Sequence, residues 1–282
     1  IRLSLVGSEM CLRDRLGDHH LAANFKRIMG WFCISAVFWI TGAILQGEWQ
    51  ILLWIIAAIC DYTAPMHGFA LPRLGRSDSS KEWTIEGHHL VERCQLFVII
   101  AFGETLLMTG ASLSEVEEWT PLVIISAVIS FIGSLAMWWV YFDVSSEAGS
   151  RKIQEVKDPG KLGLIYNAIH IVLVGALIIC AVGDELIVAH PEQEMRAEVV
   201  FVLIIGPIVY ILANSIYKYV TCRMLPLSHI IAVIALALLL PWPYHISLLT
   251  MNILVTSVFI FVIVFDMLFP NKGFKIKWEP KI

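Results

Sequence analysis

Long stretches of unbroken apolar sequence recur along this chain, and each is close to the length that a helix needs to cross a bilayer. They run over Ile28–Gln46, Gln50–Leu71, Leu90–Ala111, Pro121–Phe142, Leu162–Ala189, Val199–Tyr217, Leu225–Leu240 and Ile246–Phe269. A hydrocarbon layer about 30 Å thick is spanned by about 20 residues of α-helix. Backbone inside lipid must satisfy its own hydrogen bonds, which leaves helices and closed barrels as the spanning structures. Barrel strands would show apolar and polar residues alternating over about ten positions. No such alternation runs through these blocks. The sequence therefore predicts an all-α, polytopic transmembrane helical bundle of about eight spanning helices. The seventh block is short, bounded by Pro226 and by Pro241-Trp242-Pro243, so it is expected to tilt little or to be re-entrant in part.

Composition agrees with that reading. Apolar residues make up 58% of the chain and charged residues 16%, against roughly 45–50% and 25% in soluble domains. No basic domain points to nucleic acid, and the expected partner is the lipid bilayer. Cys11, Cys33, Cys60, Cys94, Cys180 and Cys222 stand singly without a CxxC pair, so they read as small buried hydrophobes. Nucleophile-elbow, P-loop and dinucleotide-binding fingerprints are missing from the sequence, and no cofactor is expected.

The basic residues give an orientation. All of the 20 Lys and Arg residues except Arg93 and Arg196 fall before the first block, after the last, or in alternate connections between blocks. Because short cytoplasmic loops retain Lys and Arg, both ends of the chain are expected in the cytoplasm, across a bacterial cytoplasmic membrane. The expected organisation is one transmembrane domain over residues 1–282. Within it, residues 1–27 form a cytoplasmic segment continuing from an upstream helix, and residues 270–282 form a basic cytoplasmic tail.

Ionisable residues within such blocks are expensive and mark functional sites. The densest group opens the third block, in His88-His89-Leu90-Val91-Glu92-Arg93, and continues to Gly103-Glu104. At about 100° per residue, His89, Glu92, Arg93 and Glu104 share one helix face, where Gly103 would permit close helix approach. Glu104 is expected to face the bundle interior. These residues read either as a polar pathway for protons or cations, or as structural pairs in which Arg93 neutralises a carboxylate. Asp61 lies mid-block, four residues before Pro65, where a kink beside a carboxylate is expected. Asp143 ends the fourth block near the cytoplasm, as a pathway residue or as a solvated carboxylate. His170 shares a face with Tyr166 and reads as a pathway residue or a hydrogen-bonded core histidine. Asp184-Glu185 reads as exposed at the outer surface. His88, His89 and Glu92 lack the H-E-x-x-H spacing of a zinc site, so no metal is expected.

The third-block residues resemble a known signature. His89-Leu90-Val91-Glu92-Arg93, then Leu96-Phe97-Val98-Ile99-Ile100, then Gly103-Glu104 are similar to the H-x-x-E-R-x-x-L-F-x-I-I-x-x-G-E pattern of the bacterial low temperature requirement protein A (LtrA) family. Tyr141-Phe142-Asp143 resembles its Y-F-D element, and His170 with Gly183-Asp184-Glu185 resembles its next helix. That family's amino-terminal F-F-D-L-V-type motif has no counterpart in this sequence. The resemblance implies a multi-pass bacterial membrane protein. The family's name derives from a growth trait, so it implies no particular substrate, cofactor or catalytic residue.

Three functions fit these features. The first is a proton- or ion-linked transporter or permease, carrying a proton, an ion or a small solute past Asp61, His89, Glu92, Arg93, Glu104, Asp143 and His170, with Glu104 or Asp61 as the coupling site. The second is a membrane-embedded enzyme or lipid-modifying factor using His89 and Glu92 as an acid–base pair. The third is a non-catalytic adaptor or sensor. The sequence leaves the oligomeric state open.

Overall fold

Each apolar block becomes a helix because a backbone surrounded by apolar side chains closes its hydrogen bonds locally. A computed structural model describes residues 19–77, 87–143, 159–194, 196–241, 246–269 and 273–275. The remaining parts of the predicted 1–27 segment and of the 270–282 tail lie outside these. The chain divides into two compact units, residues 1–85 with 157–164 and residues 86–156 with 165–282.

In the first unit, α1 (His19–Leu45) and α2 (Gly47–Met66) fold back on each other. The reversal is made by Gln46 at φ 52° and Gly47 at φ 66°, the left-handed region that glycine enters without strain. A side chain at Gly42 would bring its Cβ within 2.8 Å of the Trp54 ring, so glycine permits the close approach. Helix α2 stops at Met66, five residues before the apolar block ends. Pro65 stands in the last turn, and the left-handed Gly68 and Phe69 then redirect the chain. The expected mid-block kink is thus a helix terminus. The loop that follows is held by α1: Arg27 donates to Ser77 Oγ at 3.1 Å and to the Leu74 carbonyl at 3.0 Å, and Trp31 to the Ala70 carbonyl at 3.1 Å.

The second unit contains α3 (Gly87–Glu115), α4 (Pro121–Phe142) and the greater part of α5 (Pro159–Ala189). It continues through α6 (Ala197–Val200), a π-helical turn at Phe201–Ile205, α7 (Gly206–Cys222), α8 (Leu227–Leu239) and α9 (Leu248–Leu268). Thr120 caps α4 by accepting from the Val123 N–H at 3.3 Å, and Pro121 occupies the first turn, where no helical donor is lost. Ser247 caps α9 in the same way through Thr250. Two short strands, β1 (Met224–Pro226) and β2 (Gly273–Lys275), pair antiparallel.

Among the described residues seven helices are long and apolar enough to cross a membrane, with the π turn and α7 forming one span. Helix α8 has 13 residues, about 20 Å of rise, and falls short of the hydrocarbon thickness. The result is a polytopic helical bundle and a multi-pass membrane protein. Ile, Leu, Val, Phe and Trp side chains on the outer faces are exposed, as expected where lipid replaces water as the solvent. The core of the second unit is different in kind. Its largest fully buried side chains include Tyr141, Tyr166, Tyr210, Tyr217 and Phe259, and buried hydroxyls, amides and charges lie beside them.

Candidate functional site

Helix α3 turns its signature face outward. His89, Glu92, Arg93 and Glu104 are all exposed, and a Cβ at Gly103 would meet nothing within 4 Å. The expectation that Glu104 faces the interior and that Gly103 makes a close helix contact is therefore corrected. The packed face is the opposite one, carrying Val91, Cys94, Val98, Phe102, Thr105, Thr109 and Ser112 at three- and four-residue spacing. Small and apolar side chains on that stripe allow close packing against α4, whereas the Glu/Arg face would have to bury unpaired charge. His89 Nδ1 lies 3.7 Å from Glu92 Oε2 one turn on, with both side chains more than half exposed. In the first unit, Asp61 Oδ2 accepts from the Trp39 indole N–H at 3.0 Å. Asp61 belongs to the first unit, and the other predicted residues belong to the second.

His170 and Asp143 do reach buried polar networks, but two separate ones. His170 is 2% exposed. Its Nδ1 lies 2.8 Å from the Tyr166 carbonyl and its Nε2 lies 2.8 Å from the Tyr141 hydroxyl. A carbonyl only accepts, so Nδ1 carries the proton, and in the neutral ring Nε2 accepts from the tyrosine. Tyr217 stacks on Tyr141 with ring centroids 5.5 Å apart and touches Tyr166 through their hydroxyls at 3.3 Å. This is a satisfied core histidine in an aromatic cage. Asp143 caps α4 and lies 3.5 Å from Lys218 Nζ, which also lies 3.2 Å from Asp266. Lys218 appears in the sequence as a loop cation, yet α7 continues past it to Cys222 and leaves it 5% exposed. From Asp266 the network continues through Ser228, which donates to the carboxylate at 2.5 Å, to His229 and Asn214.

The group that the sequence reading placed at the outer surface is the most deeply committed. Asp184 is 7% exposed, which corrects that expectation. Ser134 Oγ of α4 donates to its Oδ2 over 3.5 Å, and Ser130 lies one turn earlier on α4. Ser130 in turn accepts from the Asn252 amide at 3.0 Å, and Thr256 donates to Asn252 Oδ1 at 3.4 Å. Thr105 Oγ1 of α3 lies 3.3 Å from Ser134 Oγ. Among the described residues no Lys, Arg or His forms an ion pair with Asp184.

Asp184, Ser134, Asn252 and Thr256 face a cavity of about 30 Å³ lined also by Gly133, Val202, Met137, Cys180, Leu203, Pro207, Val255 and Phe259. That volume holds about two water molecules or one dehydrated ion. Two glycines shape its wall. A Cβ at Gly183 would lie 2.9 Å from Leu203, and one at Gly206 would lie 2.8 Å from Ile179, so α5 and the π turn approach closely only as glycines. The π turn spends the Gly206 N–H on the Phe201 carbonyl. The next residue is Pro207, which has no N–H, so the Val202 carbonyl loses its helical donor. Such π turns recur at functional sites.

The cavity was partly legible as pattern. Ser126, Ser130 and Ser134 repeat every four residues on α4, and Asn252 and Thr256 do so on α9, a stripe of hydroxyls and amides that marks a helix–helix contact. That pattern names a packing face but no partner. Among the described residues no three His, Cys, Asp or Glu side chains converge as a metal site.

A protein of Rhizobium meliloti (strain 1021), itself described as uncharacterized, is 35% identical over 222 residues, covering 78% of this chain and 53% of the relative. This chain thus spans about half the length of that relative. No solved structure matches. The pattern defining the family described as bacterial low temperature requirement A protein (LtrA) matches residues 3–264, and with that match over nearly its whole length the chain belongs to the LtrA family.

Proposed function

We propose that this protein is a proton- or ion-linked transporter whose coupling group is Asp184. One observation carries the reading: a carboxylate buried between helices, without a basic partner among the described residues, borders a small cavity that Ser134, Asn252 and Thr256 also line. Burying an unpaired charge costs several kcal/mol. A carboxylate kept there is therefore suited to bind and release a positive charge. The sequence assignment of coupling to Glu104 or Asp61 moves to Asp184, because Glu104 is exposed and Asp61 is bonded to Trp39. The alternating basic loops support a bacterial cytoplasmic membrane with residues 26–27 and 272–281 on the cytoplasmic side.

Reconstitution into liposomes tests the proposal. Proton or alkali-ion flux above that of protein-free vesicles is expected, lost in Asp184→Asn and retained in Glu104→Gln. Equal flux in wild type and Asp184→Asn, or none in wild type, overturns it.

A lipid-modifying enzyme is the second reading, favoured by the His89–Glu92 contact at 3.7 Å on an exposed face. It expects a changed lipid profile in cells expressing His89→Ala; an unaltered lipidome counts against it.

A further inference from the structure

We infer that the Asp184 cavity binds a dehydrated monovalent alkali cation of the sodium class, held by oxygens of Asp184, Ser134, Asn252 and Thr256. The inference rests on the transport reading and names the ion that the coupling group takes.

Charge comes first. One carboxylate faces the cavity, and the surrounding polar groups are neutral hydroxyls and an amide. Divalent ions such as Ca²⁺ are held by sets of oxygens that include several carboxylates, so a single negative charge matches a single positive one.

The second argument is the missing countercharge. Asp184 is 7% exposed, and among the described residues no Lys, Arg or His forms an ion pair with it, so a bound cation supplies the partner that a buried carboxylate needs.

Spacing agrees. Hard cations lie about 2.3–2.6 Å from oxygen ligands, which puts adjacent ligand oxygens roughly 3.3–3.7 Å apart at right angles. Ser134 Oγ stands 3.5 Å from Asp184 Oδ2, and Thr256 Oγ1 stands 3.4 Å from Asn252 Oδ1. The first separation exceeds the usual 2.5–3.0 Å of a hydroxyl–carboxylate hydrogen bond, while it suits two ligands of one ion. Gly133 makes room for this arrangement, since a Cβ there would lie 3.0 Å from Thr256 Oγ1.

The backbone adds a further oxygen. The Val202 carbonyl lacks its helical donor at the π turn before Pro207 and lies 3.5 Å from where a Cβ on Gly183 would stand, next to Asp184. Carbonyls freed where a membrane helix is distorted are suitable ligands for alkali ions. The last turns of α5, ending at Ala189, also present the negative end of the helix dipole to a cation.

The experiment uses the full chain in detergent micelles, with NaCl replacing choline chloride at constant ionic strength and pH. A saturable rise of several degrees in Tm with Na⁺ is expected, absent in Asp184→Asn. Because Asp184→Asn alters a buried hydrogen-bonded group, Thr256→Val provides a second variant, expected to raise the half-saturating Na⁺ concentration about tenfold. Binding of radioactive Na⁺ to the same proteins gives an independent readout. No Na⁺-specific rise in wild type, or the same rise in Asp184→Asn, overturns the inference. Flux in choline-only vesicles that is lost in Asp184→Asn also overturns it, and leaves the transport reading standing. Saturable Na⁺ binding lost in Asp184→Asn without any flux upholds the site and overturns the transport reading.

Discussion

Lys218 Nζ stands 3.2 Å from Asp266 Oδ2, and the lysine side chain is 6% exposed. The pair joins α7 to α9, with Asp143 of α4 as a second anion at 3.5 Å. Removing one member of such a buried pair leaves an uncompensated charge, which costs about 3–5 kcal/mol. Lys218→Met is expected to destabilise the protein by that order, and Lys218→Met combined with Asp266→Leu to recover at least half of the loss. Unfolding of both variants and of Asp266→Leu in detergent measures the coupling as a double-mutant cycle.

His170 is expected to be structural. His170→Phe keeps the ring volume but removes the acceptor for the Tyr141 hydroxyl, leaving a buried donor unpaired at a cost of about 1–3 kcal/mol. The variant should unfold at a lower temperature while its Asp184-dependent flux per folded molecule stays at the wild-type level. A loss of flux at unchanged stability would return His170 to the pathway.

Two glycines should respond in opposite ways to the same change. At Gly103 an added methyl meets open space, so Gly103→Ala should be neutral or stabilising by about 0.5–1 kcal/mol, through the reduced entropy of the unfolded chain. At Gly206 the methyl meets Ile179 Cγ2 at 2.8 Å and Cys180 Sγ at 3.4 Å, and overpacking of this kind costs about 1–3 kcal/mol. Thermal unfolding of the two variants side by side checks both signs.

Pro207→Ala restores an N–H that can return to the Val202 carbonyl. That bond spans five residues, so it lengthens the π turn by one residue, and it should stabilise the protein by about 1 kcal/mol. With that carbonyl engaged, the cavity has one oxygen fewer to offer. The Na⁺ concentration needed for the Tm shift should rise several-fold, a change that a purely structural proline would not produce.

The membrane class, the helix positions and the family were legible in the sequence because each depends on local or linear information. Block length and apolar content decide what can span a bilayer, and the His89–Glu104 pattern is linear. Which helix face turns inward is a different question. On α3 the charged signature face and the Cys94–Val98–Thr105 face both have helical spacing. Contact with Ser134 of α4 selects the second, because the neighbouring helix offers small hydroxyls there.

Asp184 shows the same limit more sharply. Its place five residues from the end of α5 suggests a surface group, and along the chain it is one. The tertiary structure sets the end of α5 against Ser134, in the interior of α4, with Asn252 of α9 lining the same cavity, and what reads as a terminus becomes interior. The sequence by itself determined that this chain is a helical membrane protein of the LtrA family. Only the packing of α3, α4, α5, α7 and α9 decided that Asp184 and Lys218 are buried charges, because the depth of a side chain is set by its neighbours in space and not by its distance from a helix end.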